Sequence, residues 1–262
     1  MTIDYEAEYN NRARVPDSAT IIASWAGEAE AYRAIKAPRV IAYGEGERHA
    51  FDFFEAGAGP TVMYIHGGYW QAVHRNFHSQ QARGLNAQGI SVAVPSYDLC
   101  PNVRIGDIVE QIRAAVNTLT RMTDAPVIVS GHSAGGHLAA CMLATEAQVP
   151  AAYAISGIFD LRPLVPTSLN KALGMDEAEG EALSPLFWRA PEGKKLDAVV
   201  GGDESDEFLR QSKTIIEAWG EEGVETRYEA LGGLNHFTVI TPLTDPNSAM
   251  VARLAELAAQ AR

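Results

Sequence analysis

The sequence predicts an α/β fold: a mostly parallel, eight-stranded sheet flanked by helices, with a small cap insertion. Three observations predict it. Eight short apolar runs recur along the 262 residues. Stretches with helical spacing separate the later runs. One segment, 161–191, breaks the rhythm with four prolines and no strand-like run. Alternating strands and helices require a mostly parallel sheet joined by right-handed crossovers.

The first two runs, Val40–Tyr43 and Ala50–Phe54, are closely spaced around Gly44 and Gly46, which favours an antiparallel hairpin at one sheet edge. Thr61–Ile65, Ser91–Pro95, Pro126–Ser130, Ala151–Ser156, Leu196–Val200 and Val224–Ala230 follow. Runs that are apolar throughout, rather than alternating, suit strands buried on both faces. Among the helices, Ile105, Ile108, Ile112, Val116 and Leu119 fall three and four apart and share one face. Segment 161–191 reads as a cap above the strand ends, where ligands bind in open α/β sheets. Ser205 is placed to cap a helix with Asp206 and Glu207 in its first turn. That helix carries Phe208, Ile215 and Trp219 and stops at Gly220. Asp245 and Pro246 read as N-cap and first position of a final helix, which presents Met250, Leu254 and Leu257. Residues 1–262 are expected to form one domain.

Composition narrows the function. The chain is 47% hydrophobic and 21% charged, an ordinary globular balance, and long enough for a sizeable core. Its formal net charge of −12, with no Lys/Arg cluster, repels phosphate backbones and anionic membrane surfaces. The partner expected is a small-molecule substrate, with neither nucleic acid nor membrane; a homodimer is compatible with the sequence. Cys100 and Cys141 lie far apart and form no CxxC, as for two thiols in a reducing compartment. The polar N-terminus lacks the apolar stretch of a signal peptide, and no run reaches the length of a membrane span. A cytoplasmic location is expected.

Three motifs carry chemistry. Gly131-His132-Ser133-Ala134-Gly135 matches G-x-S-x-G directly after an apolar run and before a helix-compatible stretch. That strand–turn–helix context pushes a serine hydroxyl out at the sheet top, as a nucleophile requires. His66-Gly67-Gly68-Tyr69-Trp70 follows the third run. A glycine pair there exposes main-chain N–H groups, so Gly68 and Tyr69, with Ala134, are the expected oxyanion donors. Gly67, Trp70 and His132 are candidates for the substrate pocket, with core packing the alternative for Trp70 and His132. His236, in Gly232-Gly233-Leu234-Asn235-His236-Phe237, is the only histidine after residue 137 and occupies the place of a general base in the order serine, acid, histidine. The acid belongs on the loop after Leu196–Val200, and by spacing alone Asp203 and Glu204 both qualify.

Other groups point less sharply. His74 and His78 have the i, i+4 spacing of metal ligands without an HExxH glutamate or an evident third ligand, so a solvated or pocket-rim pair is expected and no metal. Asp98, after Ser91–Pro95, is either a supporting group or a cap.

The HGGYW block resembles that of the kynurenine formamidase (arylformamidase) branch of the α/β hydrolases, related to esterases with HGG-type oxyanion loops. Tyr9-Asn10, Val15-Pro16-Asp17, Tyr97-Asp98-Leu99, the Gly131–Gly135 turn, Asp160-Leu161, Asn170, Ser184-Pro185, Glu204-Ser205-Asp206-Glu207-Phe208 and Asn235-His236-Phe237 extend the resemblance over nearly the whole chain. It implies that the acid is Glu204, just before the serine opening the next helix, where family members often carry Asp. It further implies hydrolysis of N-formyl-kynurenine to formate and kynurenine, with no metal or organic cofactor. General carboxylesterase or thioesterase activity is the alternative, and a non-catalytic binding protein on the same scaffold a more distant one.

Overall fold

The computed structural model describes residues 3–261. Its eight strands are β1 (Arg39–Ala42), β2 (Ala50–Phe54), β3 (Thr61–Ile65), β4 (Val92–Pro95), β5 (Val127–His132), β6 (Ala151–Ile155), β7 (Lys195–Gly201) and β8 (Glu225–Leu231). They form one sheet in the order β1-β2-β4-β3-β5-β6-β7-β8. β2 runs antiparallel to both β1 and β4, and the remaining pairs are parallel. The expected hairpin is therefore the edge of the sheet.

The helices are α1 (Tyr5–Tyr9), α2 (Asn11–Arg14), α3 (Ser18–Ile35), α4 (Arg83–Ala87), α5 (Ile105–Thr123), α6 (Ala134–Thr145), α7 (Asn170–Leu173), α8 (Glu177–Ala182), α9 (Asp206–Glu221) and α10 (Ala249–Gln260). Side chains alternate across a strand, and the central strands split between two cores accordingly. Met63, Ile65 and Val129 join the core under α5, α6 and α9; Val62, Tyr64 and Ile128 join the core under α3 and α10. The predicted faces of α5 and α10 are buried in these cores. Each large apolar side chain so buried contributes about 1.5–3 kcal/mol.

Several local readings are corrected. β1 and β8 are largely exposed rather than buried on both faces, because each is an edge strand with a partner on one side only. α10 begins at Ala249, capped by the Ser248 hydroxyl, while Asp245 closes a tight turn by accepting from the Asn247 N–H. The Asp-Pro pair thus precedes the helix by three residues, a side-chain turn having outcompeted the cap. Ser205 stands at the N-cap of α9, yet its hydroxyl is buried without a hydrogen-bond partner among the described residues.

The N-terminal helices α1–α3 have no counterpart among the predicted elements. Their polar contacts to the body include the following. The Tyr9 hydroxyl donates to Glu207 on α9 (3.0 Å) and accepts from Gln211 (2.9 Å). Arg33 on α3 pairs with Asp52, a fully buried carboxylate on β2 that Arg75 also holds. Glu6 accepts from both the N–H and the hydroxyl of Ser168 (2.7 and 2.6 Å). Among the described residues, no helix is long and apolar enough to cross a membrane.

Candidate active site

Ser133 sits between β5 and α6 with φ 57° and ψ −119°, a conformation L-residues adopt only under strain. Its N–H donates to the Ile155 carbonyl of β6 (2.8 Å), which fixes the turn to the neighbouring strand. The turn is possible because of its glycines. A Cβ on Gly135 would lie 2.0 Å from the Ile65 carbonyl oxygen, and one on Gly131 would lie 2.1 Å from that of Gly135.

His236 comes from the loop after β8 and Glu204 from the loop after β7. Their side chains meet at 2.5 Å, His236 Nδ1 to Glu204 Oε2. The carboxylate is completely buried, and its other oxygen accepts from the Ser156 hydroxyl (2.5 Å) and the Gly201 N–H (2.8 Å). A carboxylate cannot donate, so Nδ1 carries the proton and Nε2 is left as an acceptor. The imidazole is clamped between Phe208 and His132, with ring centroids 4.5 and 4.6 Å away. Asp203, the other acid that spacing allowed, is exposed, and among the described residues its N–H bonds the Leu234 carbonyl while its carboxylate bonds none.

Ser133 and His236 both line one cavity of about 440 Å³, without a direct hydrogen bond between them in the resting structure. Catalytic hydrogen bonds of unliganded enzymes are often loose and tighten on binding. Gly67, Gly68 and Tyr69 line the same cavity. Among the described residues, the N–H groups of Gly68 and Tyr69 donate to no main-chain carbonyl, and Ala134, as the first residue of α6, has no acceptor within its helix. Three unspent donors therefore gather beside the serine, as an oxyanion requires. Gly68, Tyr69 and Trp70 all have positive φ, so the chain turns sharply after β3.

That turn decides the fate of the next two side chains. The Tyr69 hydroxyl reaches the N-terminal segment, donating to the Tyr9 carbonyl (2.7 Å) and accepting from Asn11 (3.2 Å). Trp70 is fully buried and does not reach the cavity, which corrects its assignment to the substrate pocket. The left-handed backbone drives its indole into the core, where it packs edge-on against His137 at 5.1 Å. Gly67 and His132 do line the cavity.

The other predicted groups separate. His74 bonds Asn76, while His78 is buried against His66, and no three His, Cys, Asp or Glu side chains among the described residues are grouped to hold a metal ion. Asp98 accepts from Gln111 and pairs with His49. Cys100 and Cys141 are buried free thiols.

The cavity's far wall comes mostly from the N-terminal segment, through Tyr9, Asn11, Arg12, Ile22 and Trp25; of residues 161–191, Thr167, Ser168 and Leu169 reach it. The sequence reading assigned the N-terminal residues no role. A signal was present in α3, where Ile22, Trp25, Ala29 and Tyr32 recur three and four apart.

Comparison with known proteins agrees with this architecture. A family profile described as the alpha/beta hydrolase fold matches residues 62–185. A kynurenine formamidase from Salmo salar is 30% identical over 224 residues, covering 78% of this chain and 76% of the relative. A solved structure from a Silicibacter species, described as a candidate thioesterase, is 37% identical with a TM-score of 0.84, covering 96% of this chain and 98% of that one. An esterase from Pyrobaculum calidifontis, 18% identical over 94% of each chain, shares the fold with a TM-score of 0.74.

Proposed function

The chain belongs to the kynurenine formamidase-like branch of the α/β hydrolases, and from that membership we propose that this serine hydrolase cleaves small aryl formamides through a formyl-enzyme. One observation carries the reading most. His236 is bonded through Nδ1 to a buried carboxylate, and shares a cavity wall with a strained serine and unspent main-chain donors.

In this mechanism Nε2 of His236 takes the proton of Ser133 as Oγ attacks the formyl carbonyl. Glu204 holds the imidazole in the required tautomer and stabilises the imidazolium. The N–H groups of Gly68, Tyr69 and Ala134 receive the oxyanion, each contributing about 3 kcal/mol to the transition state. The intermediate expels the aryl amine, which leaves with the proton from His236. Water, deprotonated by the same histidine, then releases formate and restores Ser133.

The cavity's dimensions support a small substrate. About 440 Å³ suits a single-ring aryl compound. The likeness to the Silicibacter structure favours a second reading, hydrolysis of thioesters or other small esters, with the same acyl-enzyme chemistry. Against large polyphosphate thioesters stands the net charge of −12, which disfavours their approach. We further place the enzyme in the cytoplasm, a reading supported by its two free buried thiols.

A fluorophosphonate probe tests the nucleophile: it should label the native chain and not Ser133→Ala. Side-by-side kcat/KM on formyl-kynurenine, aryl esters and acyl-CoA then ranks substrates. A preference for long-chain acyl esters would overturn the formamide reading.

A further inference from the structure

We infer that Arg48, in the turn of the edge hairpin, is a positioning residue that holds the oxyanion donors in place. The inference deepens the serine hydrolase reading and rests on it. Arg48 lies between β1 and β2 and is half-buried. Its guanidinium spends two arms on main-chain carbonyls: Nε donates to Tyr97 (2.5 Å) and Nη2 to Val73 (2.6 Å). The neighbouring carboxylate, Asp98, is bonded to His49 and Gln111 instead. Charge-assisted bonds from a fork of fixed geometry hold two segments at a set separation.

The two segments brace opposite ends of the glycine turn. A peptide unit is planar and trans, so its C=O and N–H point in opposite directions. The Gly67 carbonyl therefore aims the Gly68 N–H, and the Gly68 carbonyl aims the Tyr69 N–H. At the first end, the Tyr97 hydroxyl lies 2.8 Å from the His66 carbonyl oxygen and 3.3 Å from that of Gly67, and the Tyr97 ring stacks on His66 at 4.3 Å. At the second, the Gly68 carbonyl accepts from the N–H groups of Gln71 and Ala72 (2.9 and 3.1 Å), and Val73 follows with φ 79°. That φ is an outlier for a β-branched residue and persists only where surrounding contacts enforce it. The Arg48 bond to the carbonyl of Val73 is such a contact. Gly68 packs against the same residue: a Cβ on it would lie 3.0 Å from Val73 Cγ2. One guanidinium thus braces both donor peptide units, the first through Tyr97 and the second through Val73. Arg48 is not among the described residues that line the cavity, so it acts through these groups and not on the substrate.

The test compares phenyl acetate with O-phenyl thionoacetate, whose thiocarbonyl sulfur is a poor hydrogen-bond acceptor and gains little from the oxyanion donors. Arg48→Met keeps an unbranched stem and removes both arms. It should lower kcat on the oxygen ester about 10–100-fold with KM within about threefold, because a displaced donor loses a bond made in the transition state. The oxygen-to-sulfur ratio of kcat should fall about tenfold with it. Damage to Ser133 or His236, or a smaller folded fraction, lowers both rates alike and leaves this ratio in place. An unchanged ratio, or a kcat within twofold of native, overturns the inference. Should Arg48→Met not fold, Arg48→Lys decides. It keeps the charge but puts one ammonium in place of the fork, so the ratio should again fall, and a native ratio overturns the inference. A native enzyme that turns over neither ester defeats the hydrolase reading and this inference with it. One that turns over the oxygen ester, with a ratio unmoved by substitution, defeats the positioning role alone.

Discussion

Replacing Glu204 with Gln isolates the charge of the buried acid, because the amide has nearly the shape of the carboxylate. The structure dictates how the Gln must sit. Ser156 and the Gly201 N–H both point donors at Oε1, so the amide oxygen takes that place. The NH2 group is then left facing His236 Nδ1, where Oε2 now accepts. A donor there turns Nδ1 into an acceptor and moves the imidazole proton to Nε2. In that tautomer His236 cannot receive the proton of Ser133. The analogous change in a serine-protease triad lowers kcat about 10⁴-fold. We expect a fall of about 10³–10⁴-fold for Glu204→Gln, or about 4–5.5 kcal/mol of barrier. Asp203→Asn, on an exposed side chain, should stay within about twofold, since a surface change away from the triad has little leverage. The assay is steady-state kcat on an activated aryl ester, with circular dichroism confirming the fold. A Glu204→Gln enzyme within tenfold of native, or a larger loss in Asp203→Asn, would refute the reasoning.

Three further outcomes follow from the same coordinates. Gly135→Ala puts a methyl group 2.0 Å from the Ile65 carbonyl oxygen, so it should lower the melting temperature and abolish fluorophosphonate labelling; normal labelling would show that the turn tolerates a side chain. Tyr9→Phe removes one partner each from Glu207, which keeps Arg210, and from Gln211, which keeps the Asp160 carbonyl; losing the hydrogen bond to the charged Glu207 should cost about 1.5–3 kcal/mol in urea unfolding, a loss under 0.5 kcal/mol contradicting the fastening of the N-terminal segment. His137 is buried and its pKa is lowered to about 4, burial outweighing its hydrogen bond to the Leu183 carbonyl. The unfolded chain takes up this proton below about pH 6.5 and the folded chain only below about pH 4, so stability falls as pH drops through that window. The group's share is about 3 kcal/mol. In His137→Gln the pH dependence of the urea midpoint should flatten, and an unchanged profile would exclude His137 as its source.

Much of this molecule is legible in one dimension, for physical reasons visible in particular segments. The strand runs and the α5 face obey local periodicities, and burial on one face imposes those periods directly. Gly131–Gly135 is legible because a turn tight enough to expose Ser133 forbids side chains at its flanks. Asp245 misled because its side chain takes the Asn247 N–H instead, and Ser205 because Glu8, far off in sequence, accepts from the Glu207 N–H that its hydroxyl was placed to cap; spacing does not say which acceptor wins.

The sequence by itself determined the sheet, its parallel connections, the serine and the histidine, because these depend on local pattern and chain order. Spacing left Asp203 and Glu204 both open and the family resemblance pointed to Glu204, which the tertiary structure sets against His236; the tertiary structure alone decided that Trp70 turns into the core and that the N-terminal segment walls the cavity. Each is a choice between side chains adjacent in sequence, or a meeting of segments far apart in it. Such outcomes are set by backbone direction and by which surfaces are left to be covered once the sheet has formed, and neither quantity is defined along a chain.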